Sequence, residues 1–307
     1  APSRVGAYRG ALDPILRTDA EYQAGTGLTG TLAFSGIYQP YNETAEAEGM
    51  DPTGNEQNAT RVTLKGYNAP EMPLTGALNQ SAGVHAVNYL VQTAAEHRAS
   101  NQNLSIAALG PLTNLALALK LDPDFPSGID LVYAGGYLNF NVQLVNDTAS
   151  SDYFNDLNTL IDPHAAAIVM RAPWKTLTLV GEASVIVPSE QDLQAAASNL
   201  PNANSTATAS SPAAHFAQRL LQPAEPGLPI WDEASLLVHL HPELATSTVK
   251  GYVDIGVTPG SWNYGRTFAY PASQAPKYLR EATIVTALDN SAVIAAYVEA
   301  AQSFIRA

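Results

Sequence analysis

The sequence contains no cysteine among its 307 residues, and this absence removes several kinds of chemistry. Disulfide bonds, thiolate nucleophiles, zinc–thiolate sites and iron–sulfur clusters all require cysteine sulfur. Basic residues are also scarce: there are 15 against 28 acidic residues, and the formal net charge is −13. Such a chain repels phosphate backbones, which argues against a nucleic-acid polymer as a partner. A divalent cation or a neutral polar ligand fits this charge better.

Long apolar runs are missing as well. No stretch reaches the roughly 18 residues that a membrane span needs, so we expect no membrane partner. The first residues read as a mature chain without a signal peptide, so a secreted protein would have lost a leader. Hydrophobic residues nevertheless make up 46% of the chain, which is enough to bury a sizeable core.

Asparagine-linked glycosylation signals are more frequent than expected. The sequence holds six N-x-S/T sequons, about twice the number that chance would give. A surface rich in Ser, Thr and Asn could also produce sequons by accident. We interpret them as the mark of a secreted, extracellular glycoprotein, with acceptor sites at Asn42, Asn58, Asn79, Asn103, Asn146 and Asn204.

Short apolar runs alternate with segments of helical spacing, and this alternation predicts a mostly parallel α/β sheet with helices on both faces. Residues 10–80 are predicted to be an irregular insertion, and 199–213 an exposed low-complexity loop. A helix is predicted after an N-cap at Ser81, with Val84 and Val87 on its apolar face. The other predicted strands are 3–9, 104–109, 129–134, 176–180, 249–257 and 283–287. The other predicted helices are 112–121, 163–170, 214–221, 232–240 and 291–305.

Two short patterns are weak on their own. A glycine pattern beginning at Gly25 has the spacing of a dinucleotide fingerprint, but neither a buried strand nor a helix start flanks it, so we interpret it as a loop. His239 and His241 have a spacing that could bind zinc, but they lie just before Pro242, and we interpret them as a solvated helix end.

Two aspartates stand at predicted helix starts. Asp156 and Asp232 both have a plain explanation as capping residues. Residues 107–114 read Ala-Ala-Leu-Gly-Pro-Leu-Thr-Asn, so a strand ends in Gly-Pro just before a helix. The last carbonyl groups of that strand therefore lie at the carboxyl edge of the sheet, where open α/β sheets bind ligands.

Five motifs, taken in chain order, resemble those of the inosine–uridine-type nucleoside hydrolases. They are Leu-Gly-Pro-Leu-Thr-Asn at 109–114, Tyr-Ala-Gly-Gly at 133–136, Asp-Leu-Asn at 156–158, Asp-Pro-His-Ala at 162–165 and Trp-Asp-Glu at 231–233. The similarity covers about residues 3–270, and segments 10–80 and 260–265 resemble the secreted branch of the family. The resemblance implies one domain over residues 1–307 with the Rossmann-like nucleoside hydrolase fold.

The resemblance also implies an activity and a cofactor. Members hydrolyse the N-glycosidic bond of ribonucleosides, releasing a purine or pyrimidine base and ribose, and they depend on Ca²⁺. In this chain the implied metal ligands are the carboxylate of Asp232 and the backbone carbonyl of Leu109. Both are the hard oxygen donors that calcium prefers.

Substrate contacts follow from the same resemblance. Asp156 and Asn158 match the pair that hydrogen-bonds the ribose, and Asn141 matches a further ribose contact. Trp231 stands where an aromatic ring would stack on the base, which favours purine nucleosides slightly. The family often forms dimers or tetramers, so a homo-oligomer is expected.

One hallmark of the family is missing. Its N-terminal loop D-x-D-x-x-x-D-D supplies the general base and two calcium ligands, and no such string occurs here. Val5–Gly10 match the family's third strand, so the catalytic base is expected in an N-terminal fragment of the same protein. The alternative is a noncatalytic secreted glycoprotein that keeps the scaffold. An unrelated extracellular sugar-binding module is a weaker option. We favour the first interpretation because losing a central strand would leave backbone groups unpaired.

Overall fold

The structure is a computed structural model, and it describes residues 6–11, 15, 79–138, 157–196, 229–258, 261 and 263–306. Within these ranges the strands are β1 Gly6–Arg9, β2 Asn79–His85, β3 Leu104–Ala108, β4 Ile129–Tyr133, β5 Thr176–Leu179, β6 Ala245–Ile255, β7 Thr267–Tyr270 and β8 Glu281–Leu288. The α-helices are α1 Ala86–Ala99, α2 Thr113–Leu121, α3 Leu157–Ile161, α4 Pro163–Arg171, α5 Glu190–Ala196, α6 Trp231–Leu240 and α7 Asn290–Arg306.

The strands form two sheets in the described part of the chain. Six of them form one sheet in the order β3-β4-β5-β8-β6-β7, in which β3, β4, β5 and β8 are parallel and β6 is antiparallel to both of its neighbours. β1 and β2 form a separate parallel pair. The predicted mostly parallel α/β architecture is therefore confirmed.

Strand β4 shows why the sheet must be covered on both faces. Its side chains alternate between the faces, yet Leu131 and Val132 are both buried. Leu131 packs in a core cluster with α1, α2 and α4, whereas Val132 packs with Val238 of α6 on the other face. A strand that is buried on both faces is typical of parallel sheets.

Helices α5, α6 and α7 pack together in a second core cluster. Ala234 and Leu237 of α6 belong to this cluster, as does Ile230, which directly precedes the helix.

None of the helices in the described ranges combines the length and the apolarity that a bilayer crossing requires.

The predicted helix start after Ser81 is wrong. Residues 79–85 form β2, which pairs with β1, and α1 begins at Ala86. The side chain of His85 caps the helix, because its Nδ1 accepts a hydrogen bond from the Val87 N–H at 3.2 Å. The three- and four-residue spacing that includes Val84 resembled a helix, but pairing with a distant strand decided the conformation.

The remaining predicted elements fall into two groups. β3, β4, β5, β8, α2, α4, α6 and α7 lie within about two residues of their predicted bounds, whereas β6 begins four residues earlier than predicted and β7 was not predicted. The predicted helix 214–221, the loop 199–213 and the glycine pattern at Gly25 lie outside the described residues. So does nearly all of the predicted insertion 10–80.

Candidate active site

The carboxyl ends of β3 and β4 lie side by side. The two strands pair in register, with Ala108 opposite Tyr133 at their ends. The Ala134 N–H donates to the Ala108 carbonyl at 2.9 Å, which keeps the chains together one residue further. Beyond this point the backbone of Leu109 turns through Gly110 and Pro111 toward α2. The first backbone carbonyl groups beyond the ends of the two strands are therefore available at the edge of the sheet.

Asn158, in helix α3, bridges these two strand ends. Its side-chain Nδ2 donates to the Ala134 carbonyl at 2.8 Å and to the Leu109 carbonyl at a longer 3.3 Å. Because both partners are acceptors, the amide nitrogen must point to the sheet, and Oδ1 must point elsewhere. Two residues assigned separately from the sequence, Asn158 and Leu109, thus come together. Asp156 and Asn141 lie outside the described residues.

A second contact fixes helix α3. The Tyr133 hydroxyl, at the end of β4, forms a buried hydrogen bond with Thr159 Oγ1 at 3.0 Å. Tyr133 and Thr159 are both fully buried. The residue next to Asn158 is therefore attached to the same strand end, which restricts how the Asn158 side chain can move.

Asp162 organises the turn between α3 and α4. This carboxylate is fully buried, and its Oδ1 accepts from the Ala165 N–H at 2.9 Å as the N-cap of α4. Its Oδ2 accepts from the Thr113 hydroxyl at 2.7 Å and from the Ile15 N–H at 2.8 Å. The sequence indicated the motif but not this role. An Asp directly before a proline at the first helical position is, however, a recognisable cap signal.

The next residue of the Gly-Pro-Leu-Thr-Asn string connects the two sheets. Asn114 Oδ1 accepts from the Ala11 N–H, just after β1, at 2.8 Å. A Cβ atom on Gly10 would lie 2.6 Å from Asn114 Nδ2, so any larger residue there would force the Asn114 side chain to shift. This string therefore positions backbone and helices around the edge rather than reacting itself.

Trp231 and Asp232 begin helix α6, which packs on β3 and β4. The Ile230 N–H donates to the Ile186 carbonyl at 2.8 Å, so the helix start is attached to the segment that follows β5. Trp231 is 37% exposed. The ring is therefore available at the surface, as a base-stacking role would require.

The carboxylate of Asp232 lies in an environment that favours a cation. Partial burial, and then the negative charge of Glu233, raises the pKa of Asp232 above its ordinary value. Asp232 as a whole residue is nevertheless exposed to solvent. A carboxylate that is poorly solvated and beside another acid is stabilised by a positive ion.

The donor chemistry of the two implied metal ligands suits calcium, but their number does not complete a site. Leu109 offers a carbonyl oxygen and Asp232 a carboxylate, whereas calcium takes six to eight oxygen ligands. No group of three or more His, Asp or Glu side chains that could hold a metal occurs in the described part of the chain. These residues alone therefore do not make a calcium site.

The histidine pair at the end of α6 has the predicted ordinary role. His241 Nδ1 lies 3.2 Å from Glu243 Oε1, and both side chains are more than half exposed. His239 is in the last turn of the helix. The solvated helix end is confirmed at the exposed His241, whereas His239 is half-buried.

Five relatives match this chain in sequence, and two of them show the range of the similarity. An uncharacterised protein of Schizosaccharomyces pombe is 28% identical over 279 residues, which are 89% of this chain and 64% of the relative. The pyrimidine-specific ribonucleoside hydrolase RihB of Escherichia coli is 28% identical over 123 residues, which are 39% of this chain and 36% of the relative. The chain thus spans less than two thirds of either relative.

The fold is similar to that of solved nucleoside hydrolases. The inosine-uridine preferring nucleoside hydrolase from Bacillus anthracis superimposes with a TM-score of 0.57 at 18% identity, covering 87% of this chain and 76% of that one. Residues 2–295 match the family described as inosine-uridine preferring nucleoside hydrolase. This match covers nearly the whole sequence and agrees with the fold. The chain belongs to the inosine-uridine preferring nucleoside hydrolase family.

Proposed function

We propose that the protein hydrolyses the N-glycosidic bond of ribonucleosides and releases a free base and ribose. The observation that carries the proposal is the Asn158 amide meeting the Leu109 and Ala134 carbonyls at the sheet edge, in a chain of this family. The name of the Escherichia coli relative, a pyrimidine-specific ribonucleoside hydrolase, supports the substrate class.

The reaction exchanges one bond at the anomeric carbon. A water oxygen forms a bond to C1′ while the bond from C1′ to the base nitrogen breaks. The base leaves with the bonding electrons, and the proton released by water balances its charge. The transition state resembles an oxocarbenium ion, so oxygen atoms around the ribose stabilise its positive charge.

Asn158 is suited to hold the ribose. Its Nδ2 donates to two backbone carbonyls, which leaves Oδ1 to accept a hydrogen bond from a ribose hydroxyl. In the proposal Asp156 and Asn141 supply further contacts to the sugar. The exposed ring of Trp231 stacks on the leaving base, and a large aromatic face favours purines slightly.

The proposal includes calcium dependence. Asp232 and the Leu109 carbonyl would hold the ion, in keeping with the raised pKa of Asp232. When bound, such an ion lowers the pKa of a coordinated water and orients the substrate. The other ligands and the general base would come from an aspartate-rich segment that is not in this sequence.

The sheet topology supports such an additional segment. In the described ranges, β3 is an edge strand of the six-stranded sheet, and β1 and β2 form a separate pair. A parallel sheet edge with apolar side chains is normally covered or paired. We propose that an N-terminal segment of the same protein occupies this edge.

We further propose that the protein is a secreted, extracellular glycoprotein that forms homo-oligomers. Asn103 lies at the exposed turn before β3, where a glycan could be attached without changing the fold. Asn79 lies within β2, and the other four sequons lie outside the described residues.

The test is turnover by the complete gene product, produced in a secretory host. We expect release of base from inosine and uridine, followed by chromatography, and loss of that activity in excess chelator with recovery on adding Ca²⁺. Removal of N-glycans by an amidase should lower the apparent mass. A complete, folded protein that releases no base would contradict the proposed activity.

A second candidate is a noncatalytic glycoprotein on the same scaffold. The missing D-x-D-x-x-x-D-D string favours it, as does the absence of a three-ligand acidic group among the described residues. For this candidate we expect no turnover of nucleosides and no effect of a chelator. The same assay therefore separates the two functions.

A further inference from the structure

Close packing surrounds the segment that follows β4, residues 134–138. Gly136 has φ +80°, and a Cβ on it would collide with the Leu179 side chain at the end of β5. A Cβ on Gly181 would lie 3.2 Å from the Gly136 carbonyl oxygen. The segment after β4 therefore lies directly against the segment after β5, with little space between the two backbones.

Glu182 holds the far end of the segment. Its Oε1 accepts from the Leu138 N–H at 2.6 Å, and the bond is partly buried. Glu182 begins a short 3-10 turn whose Ser184 donates to the Gly181 carbonyl through both its N–H and its hydroxyl. The 2.6 Å distance to the Leu138 nitrogen is at the short end of the range for N–H···O hydrogen bonds in proteins. The carboxylate is therefore a firm anchor on a fixed turn.

The near end of the same segment holds Asn158. The Ala134 carbonyl accepts the shorter of the two hydrogen bonds from Asn158 Nδ2. Only three residues separate Ala134 from Leu138, and two of them are Gly135 and Gly136. The glycines leave this stretch many backbone conformations, so fixing both of its ends favours a single path. The orientation of the Ala134 carbonyl, and so of Asn158, therefore depends on the anchor at Leu138.

We propose that Glu182 is a positioning residue of the nucleoside site. It fixes residues 134–138 through the Leu138 N–H, and it thereby aligns the Asn158 amide that orients the ribose. The inference rests on the proposed function. Glu182 acts on the backbone and has no direct role in bond cleavage. Its function therefore depends on accepting a hydrogen bond and does not depend on its negative charge.

Two substitutions distinguish hydrogen-bond acceptance by Glu182 from its negative charge. Glu182→Gln keeps an oxygen acceptor of the same reach, and we expect kcat/KM for inosine and uridine within about threefold of wild type. Glu182→Ala removes the acceptor, and we expect kcat/KM to fall about tenfold to a hundredfold, mainly in kcat, because a small misplacement costs that much. Glu243→Ala removes an exposed glutamate whose described partner is His241, and it should leave kcat and KM unchanged.

Coupling to Asn158 is the second readout. In the Asn158→Ala background, Glu182→Ala should lower kcat/KM by less than threefold further, because both changes remove the same alignment. Hydrogen exchange at the Leu138 amide should become at least tenfold faster in Glu182→Ala and stay slow in Glu182→Gln. This exchange is measured on the folded protein and needs no activity.

The outcomes are distinguishable. Unchanged kinetics in a folded Glu182→Ala protein, or fully additive losses with Asn158→Ala, would overturn the positioning role. Equal losses in the Gln and Ala variants would also overturn it, since charge would then be the active property. A wild-type protein without turnover overturns the proposed function itself.

Discussion

Asp162 accepts three hydrogen bonds, which join three separate segments of the chain next to the proposed substrate site. Each of its two oxygen atoms is occupied: one caps α4 through the Ala165 N–H, and the other accepts from the Thr113 hydroxyl and the Ile15 N–H. A fully buried carboxylate is tolerated only when such partners replace its hydration. The Asp-Pro pair and the Thr of the Gly-Pro-Leu-Thr-Asn string are thus joined by a direct hydrogen bond.

Replacing this carboxylate should lower the stability by an amount set by the hydrogen bonds that it accepts. Asp162→Ala removes the helix cap and leaves a buried hydroxyl and an amide without an acceptor, so we expect a loss of about 2–4 kcal/mol in the free energy of unfolding. Thr113→Val removes one of these hydrogen bonds and should cost only about 1 kcal/mol. Urea denaturation of both variants measures the difference, and equal losses would contradict the network.

The sequence could not reveal this arrangement in full. Asp162 was recognised as part of a motif, and the cap could be predicted from the Asp-Pro pair. Its bond to Thr113 joins residues 49 positions apart, and no local pattern encodes that pairing. The structure brings Asn158 and Leu109 together, and the sequence had singled out both of them through family resemblance and not through spacing.

At the scale of elements, prediction succeeded where boundaries are local. β3 and β4 are short apolar runs ended by Gly-Pro and Gly-Gly, and the structure confirms them within one residue. Residues 81–85 of β2 were mistaken for the start of α1, because the identity of the strand comes from pairing with β1, about 73 positions away. β7 has only four residues and exists through its antiparallel pairing with β6. Such non-local pairing is not visible in single-sequence periodicity.

The start of the β4–β5 ladder carries an ion pair with a defined pH dependence. Asp130 accepts from Thr176 Oγ1 at 2.7 Å and from Lys175 Nζ at 3.0 Å. Burial raises the pKa of Asp130, but these hydrogen bonds and the lysine charge outweigh it and lower the pKa below its ordinary value. The stabilisation is therefore complete above the unfolded-state pKa of about 3.9 and is lost as the pH falls through the lower folded-state value.

Asp130→Asn should therefore destabilise the protein at pH 7 but less at low pH. Both charged partners are partly exposed, so we expect only about 0.5–1 kcal/mol at pH 7. The difference from wild type should shrink below about pH 4. Urea denaturation between pH 7 and pH 3 measures it, with Glu243→Gln as the exposed acidic control. A difference that does not change with pH would show that the charge is irrelevant.

At the scale of the whole molecule, the two sheets meet only indirectly in the described residues. Asn114, from the six-stranded side, binds the backbone just after β1, and α1 packs on α2. Strand β3, whose carboxyl end leads into the proposed site, is also an edge strand of the six-stranded sheet in the described ranges. One added segment could thus both extend the sheet and complete the site, which makes metal binding a test of the assembled molecule.

Calcium should stabilise the complete protein through Asp232. A ligand at one hundred times its dissociation constant adds about 2.7 kcal/mol to the free energy of unfolding, which for a chain of this size raises Tm by roughly 4 °C. Asp232→Asn keeps the shape of the side chain but weakens the bound ion, so the calcium-dependent shift should disappear. Asp130→Asn, at the opposite end of the strands, should lower Tm slightly yet keep the full shift. Differential scanning calorimetry with chelator and with Ca²⁺ measures each variant. An undiminished shift in Asp232→Asn would remove this residue from the metal site, because a lost carboxylate ligand cannot leave the affinity unchanged.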